Sequence, residues 1–154
     1  MKKRMKGFTL VELIVVIAII GVLAAILVPS MMGYVKSSRL KTANSNAKLC
    51  YTTAATYCAD QETQGNTVSK SAGAFACTGT GADDVEEAVI KALSDNGNGS
   101  GEASITIADN SVSVAEWHKQ TGDKVIGRYP DPGVEVDGSD VLDESGTAIT
   151  FTLS

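Results

Sequence analysis

The feature that most restricts this chain is an apolar run from Phe8 to Val28, FTLVELIVVIAIIGVLAAILV, interrupted by one charge. As a helix rising 1.5 Å per residue it spans roughly 30 Å, the thickness of a bilayer's hydrocarbon core. Lys2, Lys3, Arg4 and Lys6 precede it. The positive-inside rule puts these cations on the cytoplasmic side and the C-terminal bulk outside. Lys36, Arg39 and Lys41 follow the span and weaken the asymmetry, but the leading charges are denser and closer. A cleavable secretory signal has an apolar region of about 7–15 residues ending at a small-residue site. This run is longer and has no such site near its end.

A plain anchor and a helix with a second purpose are separated by Glu12. A carboxylate inside an apolar helix costs about 2.5–3.5 kcal/mol on insertion scales. Its place near the start of the run, at the positive helix end, softens that cost without removing it. A plain anchor has no reason to carry such a charge, and one kept there usually has a partner. Thr9 can help satisfy a terminal backbone group at the start of the run, but the preferred reading is an ordinary helix-surface threonine.

The string KGFTLVELIVVIAIIGVLAAILVP resembles the N-terminal signature of type IV pilins and pseudopilins. The likeness covers about the first thirty residues and places four landmarks in order. It implies that an aspartyl prepilin peptidase cuts between Gly7 and Phe8 and then methylates the new amino group on Phe8. It implies that Glu12 pairs with the N-terminal amine of a neighbouring subunit, serving assembly and register, and that Pro29 kinks the helix. The implied partners are further copies of the chain, the prepilin peptidase, the pilus assembly platform with its ATPase machinery, and the membrane. The remainder resembles pilin heads only in general layout.

Beyond Pro29 the helical pattern continues. Leu40, Ala43, Ala47, Cys50, Ala54 and Tyr57 recur at three- and four-residue steps, the spacing of one buried face. This reads as a single long helix from Phe8 to Ala59, apolar all round in its first half and amphipathic in its second. Pro29 removes one helical hydrogen bond and is expected to kink it. The buried face is made of small residues, so a sheet can come close. The expected divisions are a leader at 1–7, a membrane or filament-core helix at 8–34, its amphipathic continuation at 35–60, and a globular head at 61–154.

Residues 61–82 read as a glycine-punctuated loop. Asp83 opens a short helix, with Glu86 at capping-box spacing, and Asn96–Gly101 closes it. ASITIADNSVSVAEW reads as a hairpin turning at Asp109 and Asn110, with Ile105, Ile107, Val112 and Val114 inward. Lys124–Tyr129 and Ala148–Leu153 are the next expected strands. The fold class is α+β: a long kinked N-terminal helix packed on a small antiparallel sheet.

With the apolar run set aside, the rest is polar and has few aromatic residues (5% of the chain), so its core is modest. The net charge of −5 argues against nucleic acid as the main partner, since phosphate binding needs clustered Lys and Arg. Cys50 and Cys58 sit on one helix, roughly 12 Å apart by rise, too far for a bridge. Two pairings remain, Cys77 with Cys58 or with Cys50. Cys58–Cys77 closes the shorter loop and would stabilise by roughly 3 kcal/mol. Three free thiols are the alternative. No CxxC or paired His supports a metal site. Asp137, Asp140 and Asp143 are weak calcium candidates in an acidic segment that matches no EF-hand and reads as a solvated loop. His118 has no catalytic partner placed by motif, and Trp117 reads as a core anchor. With no nucleotide loop, triad or cofactor motif, the chain reads as a non-enzyme.

The functional expectation is a major pilin, made in the cytoplasmic membrane and polymerised into an extracellular filament for adhesion or motility. The alternatives are a pseudopilin of a type II secretion or DNA-uptake machine, and a membrane-tethered adhesion module that never polymerises.

Overall fold

A computed structural model describes residues 8–71, 73–120, 125–135 and 141–142. It divides into two compact units, Met1–Lys36 and Ser37–Ser154.

Helix α1, Leu10–Thr63, contributes to both units and ends four residues beyond the expected Ala59. Within the first unit its large apolar side chains, from Leu10 to Val35, are exposed. This stretch is long and apolar enough to cross a membrane. Pro29 lies inside the helix, where it leaves the Ala25 carbonyl without its usual donor. The adjacent Ser30 hydroxyl donates to Leu27 O at 2.9 Å.

In the second unit α1 buries one stripe: Leu40, Ala43, Asn46, Ala47, Cys50, Ala54 and Cys58. The sequence pattern placed Tyr57 on this stripe. Cys58 takes that place, and Tyr57 is half-buried at the edge with its hydroxyl 3.4 Å from Asp84 Oδ2.

The sheet has the order β1-β2-β3-β4 and is antiparallel throughout. Strands β2 (Glu102–Ala108) and β3 (Ser111–His118) form the expected hairpin. Asp109 and Asn110 both have positive φ, 48° and 62°, the conformation of a two-residue type I′ turn, which Asn and Asp tolerate. The register shifts between Thr106 and Ile107, so that Thr106 faces Val114 while Ile107 faces Val112. Ser113 is the extra residue, and it reverses the inward phase of β3. Val112 and Ala115 are buried and Val114 is only half-buried, against the expectation that Val114 points inward.

Strand β1 (Ala74–Ala76) falls inside the segment expected to be loop. Three residues between glycines carry no readable alternation. They become a strand because β2 offers an edge, with Phe75 opposite Ala103. Lys70 extends the contact by exchanging backbone hydrogen bonds with Ile107 at 2.9 and 2.8 Å.

Helix α2, Asp84–Asp95, follows its sequence signals closely. Asp83 caps it by accepting from Glu86 N at 2.9 Å. The Glu86 carboxylate reaches back to Ala82 N at 2.8 Å, one residue before the cap. Lys70 Nζ lies 2.7 Å from both Asp83 and Glu86, tying the β1 approach to the start of α2. At the other end Asn98 N–H donates to Leu93 O and Gly97 N–H to Ser94 O, a Schellman closure with Gly97 at φ 76°.

Strand β4 (Ile126–Tyr129) completes the sheet. Expected residue Lys124 and the expected strand at Ala148–Leu153 lie outside the described residues. A further pair, β5 (Val134–Glu135) with β6 (Val141–Leu142), is described instead.

The tightest seam between helix and sheet is at Gly127. A Cβ there would run into the backbone C and O of Ala43 and N of Asn44. Asn44 secures the same place: its Oδ1 accepts from Arg128 N and Gly133 N, both at 3.1 Å, and its Nδ2 donates to Gly133 O at 2.8 Å.

Gly127→Ala should therefore destabilise the second unit by roughly 1–3 kcal/mol, since backbone rather than a flexible side chain must give way. Urea unfolding of the detergent-solubilised chain, followed by fluorescence of its one Trp, checks this; an unchanged midpoint would mean that the seam is loose.

Candidate functional site

Glu12 lies in the first turn of α1, and Thr9 stands just before the helix begins. Four contacts join them to the helix start. Thr9 O accepts from Leu13 N at 3.2 Å. Thr9 Oγ1 accepts from Glu12 N at 3.3 Å. In return, Glu12 Oε2 accepts from Thr9 N at 2.8 Å and from Thr9 Oγ1 at 2.7 Å. This is a reciprocal capping box on T-L-V-E. The reading of Thr9 as an ordinary helix-surface residue is overturned. The signal was present, because Thr followed three residues later by Glu before an apolar run marks a helix start. The other reading of Thr9, as a residue that satisfies a terminal backbone group, is the one that holds, since its Oγ1 accepts from Glu12 N.

The two oxygens of the Glu12 carboxylate are placed differently. Oε2 satisfies backbone and hydroxyl donors that the helix end would otherwise leave open. Oε1 accepts no hydrogen bond among the described residues and can take a donor from outside the chain. Glu12 and Phe8 are both exposed, with Phe8 at 79%, so the carboxylate and the start of the described chain are open together. Gly7 lies outside the described residues.

Cys50, Cys58 and Cys77 are free and buried, so the expected Cys58–Cys77 bridge is not formed here. Burial raises all three thiol pKa values above the usual 9.0. Cys77 is pushed up to about 12. Burial is the main cause, and the Glu102 carboxylate adds to it. Trp117 offsets part of the rise, although its buried Nε1 makes no hydrogen bond of good geometry. Cys77 in turn raises Cys50.

His118 is 2% exposed, and its Nε2 lies 2.8 Å from Glu102 Oε2. The two are cross-strand partners in the β2–β3 register, which no local motif could supply. Trp117 is a core residue at 4% exposure, with its ring against Gly101. Among the described residues no three His, Cys, Asp or Glu side chains are placed to hold a metal ion. The calcium candidates Asp137, Asp140 and Asp143 lie outside them.

Residues 2–28 match the family described as the prokaryotic N-terminal methylation motif. The chain is 47% identical over 49 residues to the type IV major pilin protein PilA of Myxococcus xanthus, covering 32% of this chain and 22% of that one. It is 54% identical over 43 residues to the fimbrial protein EcpC of Eikenella corrodens, covering 28% of each. It is 58% identical over 33 residues to the type II secretion system core protein G of Dickeya chrysanthemi, covering 21% of this chain and 22% of that one. The matched part spans about a quarter of the length of these relatives. No solved structure matches the chain.

Three outcomes follow from these geometries. Thr9→Ala should cost about 1 kcal/mol of helix capping. Amide exchange at Leu10–Leu13 in detergent should quicken accordingly, whereas unchanged exchange would deny Thr9 its role. The buried thiols should resist alkylation in the native chain near neutral pH and all react after denaturation, which intact mass reads directly. In the fold they stay protonated where an unfolded thiol ionises. Their stabilising contribution is thus full below about pH 9 and is lost as pH rises toward the folded value, about 12 for Cys77. The urea midpoint should fall over that window, and less steeply in Cys77→Ala.

Proposed function

We propose, for a chain that belongs to the type IV pilin and pseudopilin family through its N-terminal segment, that it is a structural subunit of a membrane-derived filament. In this reading residues 1–7 are a leader cut away between Gly7 and Phe8. Phe8 becomes the methylated first residue. The stretch to about residue 34 rests in lipid before assembly and against other copies after it. The amphipathic continuation and head, 35–154, face outward.

The observation that carries this reading is Glu12, a carboxylate at the head of a helix whose large apolar side chains are exposed. In lipid the capping box with Thr9 lowers the cost of holding that charge. Cleavage then creates an amine on Phe8. A neighbour's amine at Glu12 Oε1 forms a charge-assisted hydrogen bond without requiring Thr9 to release Oε2. Both charges leave water together. A neighbour out of stagger leaves a buried unpaired charge, which costs about 3–5 kcal/mol. The pairing thus favours processed chains in one register, and Pro29 is the point where the packed helix bends.

The specific role proposed is that of the major subunit of a surface pilus used in adhesion or motility, its role structural and not catalytic. It would be exported from the cytoplasmic membrane by a platform and ATPase. A pseudopilin of a secretion machine is the second reading, favoured by the likeness to the secretion protein of Dickeya chrysanthemi over the same segment.

Intact-mass measurement of membrane and sheared surface fractions tests the proposal. The expected species begins at methylated Phe8 in both. Restriction to the envelope favours the pseudopilin reading, and a chain beginning at Met1 beside an active peptidase overturns both. Glu12→Leu should be cut normally and remain in the membrane, with sheared material reduced at least about a hundredfold, the scale of losing a buried pair. Wild-type behaviour of Glu12→Leu would identify a tethered module that does not polymerise.

A further inference from the structure

Two Asn–Gly steps follow α2 in close succession, Asn96–Gly97 and Asn98–Gly99, and the chain has no others. Such a step is reactive by its own chemistry. The backbone nitrogen after an asparagine can close a ring onto the side-chain carbonyl. Glycine brings no side chain to hinder that attack and a backbone free to turn toward it. The fold then decides whether the turn is permitted.

The first step is locked by the closure of α2. Gly97 N–H donates to Ser94 O at 3.0 Å and Asn96 N–H to Ala92 O at 3.1 Å. For the Gly97 nitrogen to reach the Asn96 side chain, the peptide between them must rotate and the Schellman closure must open.

The second step lies beyond that closure. Asn98 N–H is still held, by Leu93 O at 2.8 Å, and the next anchored group is Gly101 O, which accepts from Cys77 N at 2.9 Å. Between these anchors, Asn98 O and Gly99 N–H make no hydrogen bond among the described residues. The peptide they form therefore rotates without breaking one. Asn98 Nδ2 lies 3.4 Å from Asn96 O, too far to hold the carboxamide firmly. Asn98 and Gly99 are half-buried and Ser100 is exposed, so water reaches the step. Asn110 shows the opposite case: its Oδ1 accepts from Val68 N at 2.6 Å, its Nδ2 donates to Asn66 O at 3.0 Å, and Ser111 follows it.

We propose that Asn98–Gly99 is a self-modifying site, where Asn98 becomes an aspartyl or isoaspartyl residue without an enzyme while the helix closure preserves Asn96. The Gly99 nitrogen attacks Asn98 Cγ. A C–N bond forms, the Cγ–Nδ2 bond breaks, and the Gly99 proton leaves with Nδ2 as ammonia. Water then opens the cyclic imide. Opening at Cγ gives the aspartyl product, and opening at the main-chain carbonyl gives the isoaspartyl product, with Cβ carried in the backbone. Either product places a new carboxylate just past Asp95, at the negative end of α2, where that sign of charge is unfavourable. The site goes beyond the filament reading and holds whether or not the chain assembles.

The test incubates the full detergent-solubilised chain in warm, mildly alkaline buffer, with and without urea. Digestion with pepsin in acid halts the reaction, and peptide mass reads the exchange of NH2 for OH at each asparagine. In the native chain Asn98 should react at least about fivefold faster than Asn96, the scale of a hydrogen bond that must first break, and in urea the two should agree within about twofold. Asn110 should stay intact in the native chain. Asn98→Gln, whose longer side chain closes the ring poorly, should abolish the early gain, and Asn96→Gln should leave it as in the wild type. Equal rates at the two steps in the native chain, a faster Asn96, or no gain at Asn98 overturns the proposal. So does an early gain that persists in Asn98→Gln.

Discussion

The close approach of Gly127 to the backbone at Ala43 sets the geometry of the second unit. A strand meets a helix at this distance only if neither brings a large side chain to the seam. The strand supplies glycine and the helix supplies alanine. The hydrogen bonds of Asn44 then secure the chain after β4 against α1. The rest of the helix face is also mostly small, with Ala47, Cys50 and Ala54 buried. The core therefore gains stability from closeness of fit more than from bulk. Its larger members come from elsewhere: Leu93, Ile105, Phe75 and Trp117. That closeness leaves the three thiols almost no exposed surface, which is why burial dominates their chemistry.

At the other end of α1 the physical problem is reversed. Large side chains are abundant and exposed, and the difficulty is one carboxylate among them. The capping box resolves it locally by giving Glu12 a task within its own chain. Because Thr9 engages only Oε2, that task leaves room for a cation from a neighbour. In the filament proposed above, a device that stabilises the single subunit and one that joins subunits share the same side chain.

Much of this was readable from residues close together in the chain. The apolar run, the long helix, the capped α2 and the Asp109–Asn110 hairpin all announce themselves within a few residues. The capping box at Thr9 was equally local, and of the two readings of Thr9 the one that satisfies a terminal backbone group holds over the plain surface residue. The failures elsewhere have a different cause. Strand β1 has too few residues for a pattern, and the bulge at Ser113, which displaces Val114, depends on the facing strand.

The sequence by itself determined where the chain is apolar, where helices start and stop, and where a carboxylate stands in a place that water-loving groups avoid. These follow from side-chain chemistry and backbone preference acting over one or two turns. Only the tertiary structure decided that Glu102 meets His118, that Gly127 meets Ala43, and that Lys119 joins Arg39 around one cleft. Each joins residues from different elements, and most lie far apart along the chain. Their meeting depends on strand register and on the packing of the helix against the sheet, and a local pattern carries no information about either.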